Sequence, residues 1–561
     1  MDIMLQKVHI QNFRSIKETT LLLKPLSTIF GMNDSGKSNL LLALSLALTN
    51  RGITASDVFC SKDTEYSQDT KVIIDLKFVP IGKDEKEKDK KIKNKSRNQK
   101  EYQIKDKFDG SWADLLTDSV QTDENDKQFF AFRTQFIYNQ DKQEYTKKHI
   151  HITLWNDEKI TVNESVSGTI LSAFNFIYID AHRDIAEDIR NKSSAWNRQL
   201  AKMEIADEPK QKIENSLLDL SKQIVQESSF LKKATENLGG ATNVAGSQIE
   251  IYPITRNIEE IYKGLDIFVT QSNSSAISMS NMGAGTRSRA IFATTKTVIG
   301  EKIGQSKETP LFFMVAFEEP EVHIHPQAQK KLIKDFQDMQ VQGVITTHSP
   351  YVLETSDIQD LIYTTMQDAE TYFRPTAQLN LPKEELDKIK RIVIDTHGAI
   401  LFAKAVVLAE GDTEKIALPI FFKEYFNNKR IKYEHYELGV DIIGVGGTNY
   451  LPFLKLLKII EVDWLIFSDG EPQILEELRN LIKELDDKKE FSDYKNIVVL
   501  DNNYNYEQYL VNSGYADDII KYLDEFDGRE TGHKLSNFEN DSKKYCRQKN
   551  AKKKGMQSLF E

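Results

Sequence analysis

The chain has 561 residues, with 74 Lys and Arg against 85 Asp and Glu and a formal net charge of −11. That length exceeds one hydrophobic core and predicts two or three domains, while the acidic balance excludes a protein that coats nucleic acid by bulk charge and confines such contact to local basic patches. Two cysteines, Cys60 and Cys546, exclude a disulfide framework or a cysteine zinc site.

The first seven residues lack a basic region followed by an apolar core, so no signal peptide is expected; no apolar run reaches membrane-spanning length, and a cytoplasmic protein is expected. Leu5–Ile10 alternates as a half-buried strand does, and Asn12-Phe13-Arg14-Ser15 reads as a hairpin corner. Ser27–Phe30 is a short buried strand. Gly31–Ser38, Gly-Met-Asn-Asp-Ser-Gly-Lys-Ser, follows it, and Asn39–Leu48 reads as a buried helix. Strand, G-x-x-x-x-G-K-[ST] and helix in that order make a phosphate-binding loop. Its glycines let backbone N–H groups turn toward phosphate oxygens, Lys37 reaches the terminal phosphates, and the Ser38 hydroxyl can ligate Mg²⁺. Gly31, Asn33, Gly36, Lys37, Ser38 and Asn39 are the candidate nucleotide contacts, and ATP is the expected cofactor.

Val72–Phe78 is another strand. Lys83–Lys107 is lysine-rich with few apolar residues and reads as an exposed insertion, with a DNA contact as the second reading. Phe129–Tyr138 and His149–Trp155 predict an antiparallel β-layer. Phe176–Ala181 is a buried strand running into Asp180. Asp184 to about Leu238 has helical periodicity with many charges and predicts long helices packed on each other or on a partner subunit. Ser280, Gly283 and Gly285 form a small-residue turn before a helical run at Ala290–Ile299. Leu311–Phe317 is an apolar strand ending in Glu318-Glu319-Pro320-Glu321. Adjacent carboxylates there are costly unless they serve a cation or a proton transfer: Glu318 would bind Mg²⁺ and Glu319 would polarise the attacking water. His323 and His325 lack a third nearby ligand and read as a structural turn rather than a metal site. Gly343–Thr347 is a further strand, closed by His348, which could report nucleotide state.

This order of motifs over about residues 1–371 resembles the ABC-type ATPase heads of the SMC, RecF and Rad50 group. The resemblance implies that two heads sandwich two nucleotides, with Ser280, Gly283 and Gly285 of one copy reaching the nucleotide held by the other. Glu318 matches the magnesium carboxylate, Glu319 the water-activating one and His348 the switch histidine. A homodimer or higher homo-oligomer is implied.

Pro382–Thr396 looks helical, with Leu386, Ile389 and Val393 on one face. Ala405–Ala409 is a buried strand running into Glu410, Val440–Val445 a second, and Asp463–Phe467 a third that ends in Ser468-Asp469-Gly470-Glu471. Strand–helix alternation implies a parallel α/β sheet with functional groups at its carboxyl edge. Glu410, Asp469 and Glu471 collect there, and carboxylates without cationic partners imply Mg²⁺ or Mn²⁺; solvated acidic loop tips are the plainer alternative. Two such ions roughly 4 Å apart can activate water and stabilise the leaving oxygen in phosphodiester cleavage.

These residues resemble the TOPRIM domain over roughly 399–561, with Asp-Gly-Glu in place of the usual Asp-x-Asp. An ABC-type head followed by a TOPRIM domain resembles the OLD (overcoming lysogenization defect) family of nucleases, which includes the Gabija nuclease subunit. The resemblance adds Glu414 and Glu507 as metal ligands and Lys554 as a residue stabilising the cleaved phosphate. The expected division is 1–183 and 266–375 for the ATPase domain, 184–265 for a helical dimerisation insertion, 376–398 for a linker and 399–561 for the nuclease domain. The expected function is an ATP-gated, metal-dependent DNA endonuclease in anti-phage defence, acting beside a companion such as a helicase or a reverse transcriptase. An RNA- or tRNA-cleaving effector and a non-nuclease DNA-binding sensor are the alternatives.

Overall fold

The computed structural model describes residues 2–60, 67–83, 102–156, 159–181, 207–232, 267–269, 277–306, 309–339, 341–430, 433–486 and 490–518. These fall into two compact units, Met1–Pro375 and the residues from Thr376 onward.

The first unit holds two sheets. The antiparallel one contains β1 (Ile3–Phe13), β2 (Ile16–Leu22), β4 (Val72–Lys83), β7 (Gln128–Asn139), β8 (Glu144–Trp155) and β9 (Ile160–Ser165), in the order β2-β1-β4-β7-β8-β9; β5 (Tyr102–Ile104) and β6 (Gln121–Thr122) pair with β4 and β7. The other contains β3 (Leu26–Gly31), β10 (Phe174–Ile179), β13 (Phe312–Glu318), β14 (Gln342–Thr347), β15 (Leu361–Gln367) and β16 (Glu370–Pro375), in the order β10-β13-β14-β3-β15-β16. All its neighbours are parallel except β15 and β16. The helix Lys37–Leu48 is apolar on every side. It belongs to one core with β1, β4, β10 and β13, in which Phe78 meets Phe174 at a tilt, ring centres 4.6 Å apart, and Phe312 edge to face at 5.3 Å. A short ladder, β11 (Phe268–Val269) with β12 (Ile277–Ser278), precedes the helix Ala284–Gln305, which is longer than the run expected from sequence.

Of the expected insertion, the helix Asp207–Glu227 is described; residues 182–206 and 233–266 lie outside the described residues, as do most of the lysine-rich segment and Lys554.

The second unit is built on β17 (Ala405–Ala409), β18 (Val440–Gly444), β19 (Asp463–Ser468) and β20 (Ile497–Val499), all parallel, in the order β18-β17-β19-β20. The chain crosses to opposite sides of β17 after β17 and after β18, which makes β17/β19 the switch point where parallel sheets keep their sites. Residues 376–398, expected to link the domains, belong to this unit instead. Lys383–Ile389 is helical, Leu386, Ile389 and Val393 are buried, and Glu385 pairs with Lys455 at 2.7 Å. Their apolar stripe needs a surface, and a free linker would leave it in water.

Candidate functional site

The first site lies at the carboxyl edge of the parallel sheet, where β3, β13 and β14 end side by side. Register puts Glu318 opposite Thr346 and Thr347 opposite Phe30. The phosphate loop needs its glycines: Gly36 has φ +91°, and a Cβ there would lie 2.1 Å from Thr371 Oγ1. Lys37 is buried and folds back on its own loop, donating to Met32 O at 2.7 Å and Gly31 O at 3.3 Å. Burial pushes its pKa down to about 8, although Glu319, Glu321, Asp34 and Glu318 act in the other direction. Asn33 is exposed at the loop tip. Asn39 donates to Ser15 Oγ at 2.7 Å, and Ser15 Oγ meets Thr371 Oγ1 at 2.6 Å. The Asn12–Ser15 corner is therefore stitched to the phosphate loop, a link that its sequence alone does not reveal.

Glu318 accepts hydrogen bonds from Ser38 on one oxygen and from Tyr178 on the other. The two residues expected to share a magnesium ion are thus already together. Tyr178 was not singled out from sequence, although a polar tip inside the apolar run of β10, two residues before Asp180, is the signal that could have found it. Glu319 has φ +43°, uncommon for a residue with a Cβ, and its Oε1 lies 3.5 Å from His348 Nε2. Burial, then the charge of Lys37, pushes the His348 pKa down to about 4, so the ring is neutral at pH 7 and its approach to Glu319 is not an ion pair. Glu321 accepts from the His348 N–H and ties the two strand ends to each other. Gly283 caps the helix Ala284–Gln305, and a Cβ on Gly285 would lie 2.9 Å from His323 O. Ser280 sits in the short helical turn Met279–Asn281 just before it. His325 occupies the N-cap position of the helix Pro326–Gln337 and makes no side-chain capping bond.

The second site lies at the β17/β19 switch point. Glu410 follows β17, and its Oε2 accepts from Ser468 Oγ at 2.9 Å and from the Asp469 N–H at 3.1 Å. Asp469 has its pKa pushed up to about 7, first by burial and then by Glu410, Glu414 and Glu507. Four of the five acids expected from sequence are therefore within electrostatic reach of one another. Glu414 is buried, its Oε2 accepts the Gly411 N–H at 2.9 Å at the start of the helix Asp412–Asn428, and burial raises its pKa. Glu507 lies in the first turn of the helix Tyr506–Leu510. Glu471 stands at the start of the helix Pro472–Leu485 and accepts from Asn505 at 3.4 Å. The intervening Gly470 is a steric necessity, because a Cβ there would lie 2.0 Å from Leu500 O. Asp469 Oδ1 is buried with no hydrogen-bond partner. A buried, unsatisfied carboxylate oxygen among like charges fits a hard divalent cation. Among the described residues no three His, Cys, Asp or Glu side chains are already gathered at ligand spacing. The acids converge in field before they converge in contact.

Comparison with known proteins agrees with this division. The family described as "AAA ATPase domain" matches residues 4–353, and the family described as "Overcoming lysogenization defect protein-like, TOPRIM domain" matches residues 401–470. The chain is 22% identical to the Old nuclease of Escherichia phage P2 over 446 residues, covering 76% of this chain and 70% of that protein. It is 23% identical to the endonuclease GajA of Bacillus cereus strain VD045 over 491 residues, covering 83% and 74%. The Smc head domain of Pyrococcus furiosus aligns over 69% of this chain and 99% of its own at 14% identity, with a TM-score of 0.34. Since the first match spans well over half its length, the chain belongs to the AAA ATPase domain family, and an OLD-like TOPRIM domain follows the ATPase domain within the same polypeptide.

Proposed function

We propose that this protein is a divalent-metal-dependent DNA endonuclease whose cleavage centre, in the second unit, is regulated by ATP in the first, and that it serves in anti-phage defence. The observation that carries the reading is the presence in one chain of a phosphate loop with Ser38 on Glu318 and a second acidic centre around Glu410 and Asp469. Similarity to the Old nuclease and to GajA supports the nuclease part.

In the first unit, the loop N–H groups and Lys37 would hold the phosphates, Ser38 and Glu318 would hold Mg²⁺, and Glu319 beside neutral His348 would accept a proton from water. In the second, Glu410, Asp469 and Glu507 would hold Mg²⁺ or Mn²⁺, with Glu471 and Glu414 completing the acidic wall. The cation supplies a positive centre that favours ionisation of the attacking water and neutralises the leaving oxygen. The residues themselves fix where that centre sits: Ser468 and the Asp469 N–H anchor one oxygen of Glu410. Lys554, outside the described residues, remains the proposed cation for the cleaved phosphate.

A homodimer or higher homo-oligomer is part of the proposal. The helix Asp207–Glu227 leaves Ile213, Leu220 and Ile224 exposed at helical spacing, the pattern of a face that a partner covers. Among the described residues no helix is long and apolar enough to cross a membrane.

The test is cleavage of plasmid DNA by the purified protein with Mg²⁺ or Mn²⁺, with and without ATP. Glu410→Ala should abolish nicking. Cleavage that survives this change would remove the assignment of the centre, and cleavage of RNA alone would replace DNA as the substrate.

A further inference from the structure

Tyr450 ends the Gly446-Gly447-Thr448-Asn449 turn and leads into the helix Leu451–Ile460. It is 0% exposed, the largest fully buried side chain among the described residues. Its hydroxyl is buried too, and makes no hydrogen bond of standard geometry, although Ser468 stands beside it. A phenylalanine would fill the same space without that cost, so packing does not explain the oxygen.

The surroundings do explain it. The hydroxyl faces Ser468, short of a hydrogen bond of standard geometry, and lies in the field of Glu410, Asp469 and Glu414. Ser468 is itself fully buried and gives its one hydrogen to Glu410 Oε2 at 2.9 Å. The Asp469 N–H donates to the same oxygen. Both hydrogen bonds that Glu410 accepts therefore fall on Oε2, and Ser468 Oγ keeps a lone pair for a donor behind it.

We propose that Tyr450 is a positioning residue of the acidic centre: its phenol backs Ser468, Ser468 holds Glu410 Oε2, and Glu410 Oε1 is thereby kept as the ligand oxygen. When a divalent cation draws on Glu410, the Tyr450 O–H closes onto Ser468 Oγ, and the chain of hydrogen bonds strengthens along its length. The inference rests on the reading of this centre as a cation site.

The experiment is a Mn²⁺ titration of the nucleotide-free full chain, followed by loss of the free-ion EPR signal, with thermal melting of each metal-free variant. Tyr450→Phe should weaken Mn²⁺ binding about tenfold. It should not lower the metal-free melting midpoint, because the hydroxyl it removes makes no hydrogen bond of standard geometry there. Ser468→Ala should weaken binding similarly, and the double variant should be no worse than the weaker single one. Two results overturn the inference: Tyr450→Phe titrating like wild type while Glu410→Ala loses Mn²⁺, or weakened binding together with a lowered midpoint, which marks packing alone. If Glu410→Ala also titrates like wild type, the cation-site reading falls first and this inference falls with it.

Discussion

The two acidic sites share a plan and differ in their charge. In each unit a glutamate at the end of a buried parallel strand accepts a hydrogen bond from a serine hydroxyl, Ser38 to Glu318 in one and Ser468 to Glu410 in the other. In the first unit Lys37 is close enough that Glu318, Glu319 and Glu321 all act on it. In the second, the charges acting most strongly on Asp469 are carboxylates: Glu410, Glu414 and Glu507. The first site is partly balanced by its own chain and is already assembled. Among the described residues the second carries excess negative charge, and on the proposed reading a divalent cation from solution balances it.

That contrast can be broken most forcefully by exchanging which half is disabled. Lys37→Ala should lower affinity for a fluorescent ATP analogue by about 100-fold or more while leaving Mn²⁺ binding in the second unit intact; Glu410→Ala should do the reverse. Loss of both functions in either variant would show that the two sites are not separable.

A smaller effect sharpens the electrostatics of the first site. The folded-state pKa of His348 is near 4, below the ordinary 6.5, so the unfolded chain takes up a proton between those values that the folded chain refuses. Stability should therefore fall as pH drops from about 6.5 to 4. His348→Gln should flatten this part of the pH–stability curve by on the order of 2 kcal/mol, read from urea midpoints at pH 7 and pH 4.5 without nucleotide.

For the second site, Asp469→Asn removes a half-buried charge surrounded by like charges. Metal-free protein should gain about 1–2 kcal/mol at pH 8 after solvent screening is allowed for, while its Mn²⁺ affinity collapses. A destabilised variant would mean that a positive group already balances Asp469. The smallest effect is expected at Tyr178→Phe, which leaves Glu318 with Ser38 as its remaining hydroxyl donor of the two. The Mg²⁺ concentration that supports half-maximal ATP turnover should rise about threefold, by loss of one hydrogen bond to a charged group.

Much of this was legible in the sequence because it is local. The phosphate loop is a run of eight residues, and its strand and helix flank it directly. Glu318-Glu319 and Asp469-Gly470-Glu471 stand at the ends of apolar runs that could only be buried strands. The parallel second sheet followed from strand–helix alternation, and its carboxyl edge from the same rule. Residues 376–398 read as a linker from sequence because an amphipathic stripe reveals that a helix has a buried side, not which unit supplies the cover.

Local residue order sets the chemistry available: a lysine and a serine behind a glycine loop, and acids placed where strands end. Which partners those groups face is a property of the assembled fold. Tyr178 is 140 residues from Glu318 and Ser468 is 58 from Glu410, and no periodicity or spacing links positions so far apart. Such pairs exist because sheet order, β10 beside β13 and β17 beside β19, brings strand ends together, and sheet order follows from packing the whole core rather than from any segment of it.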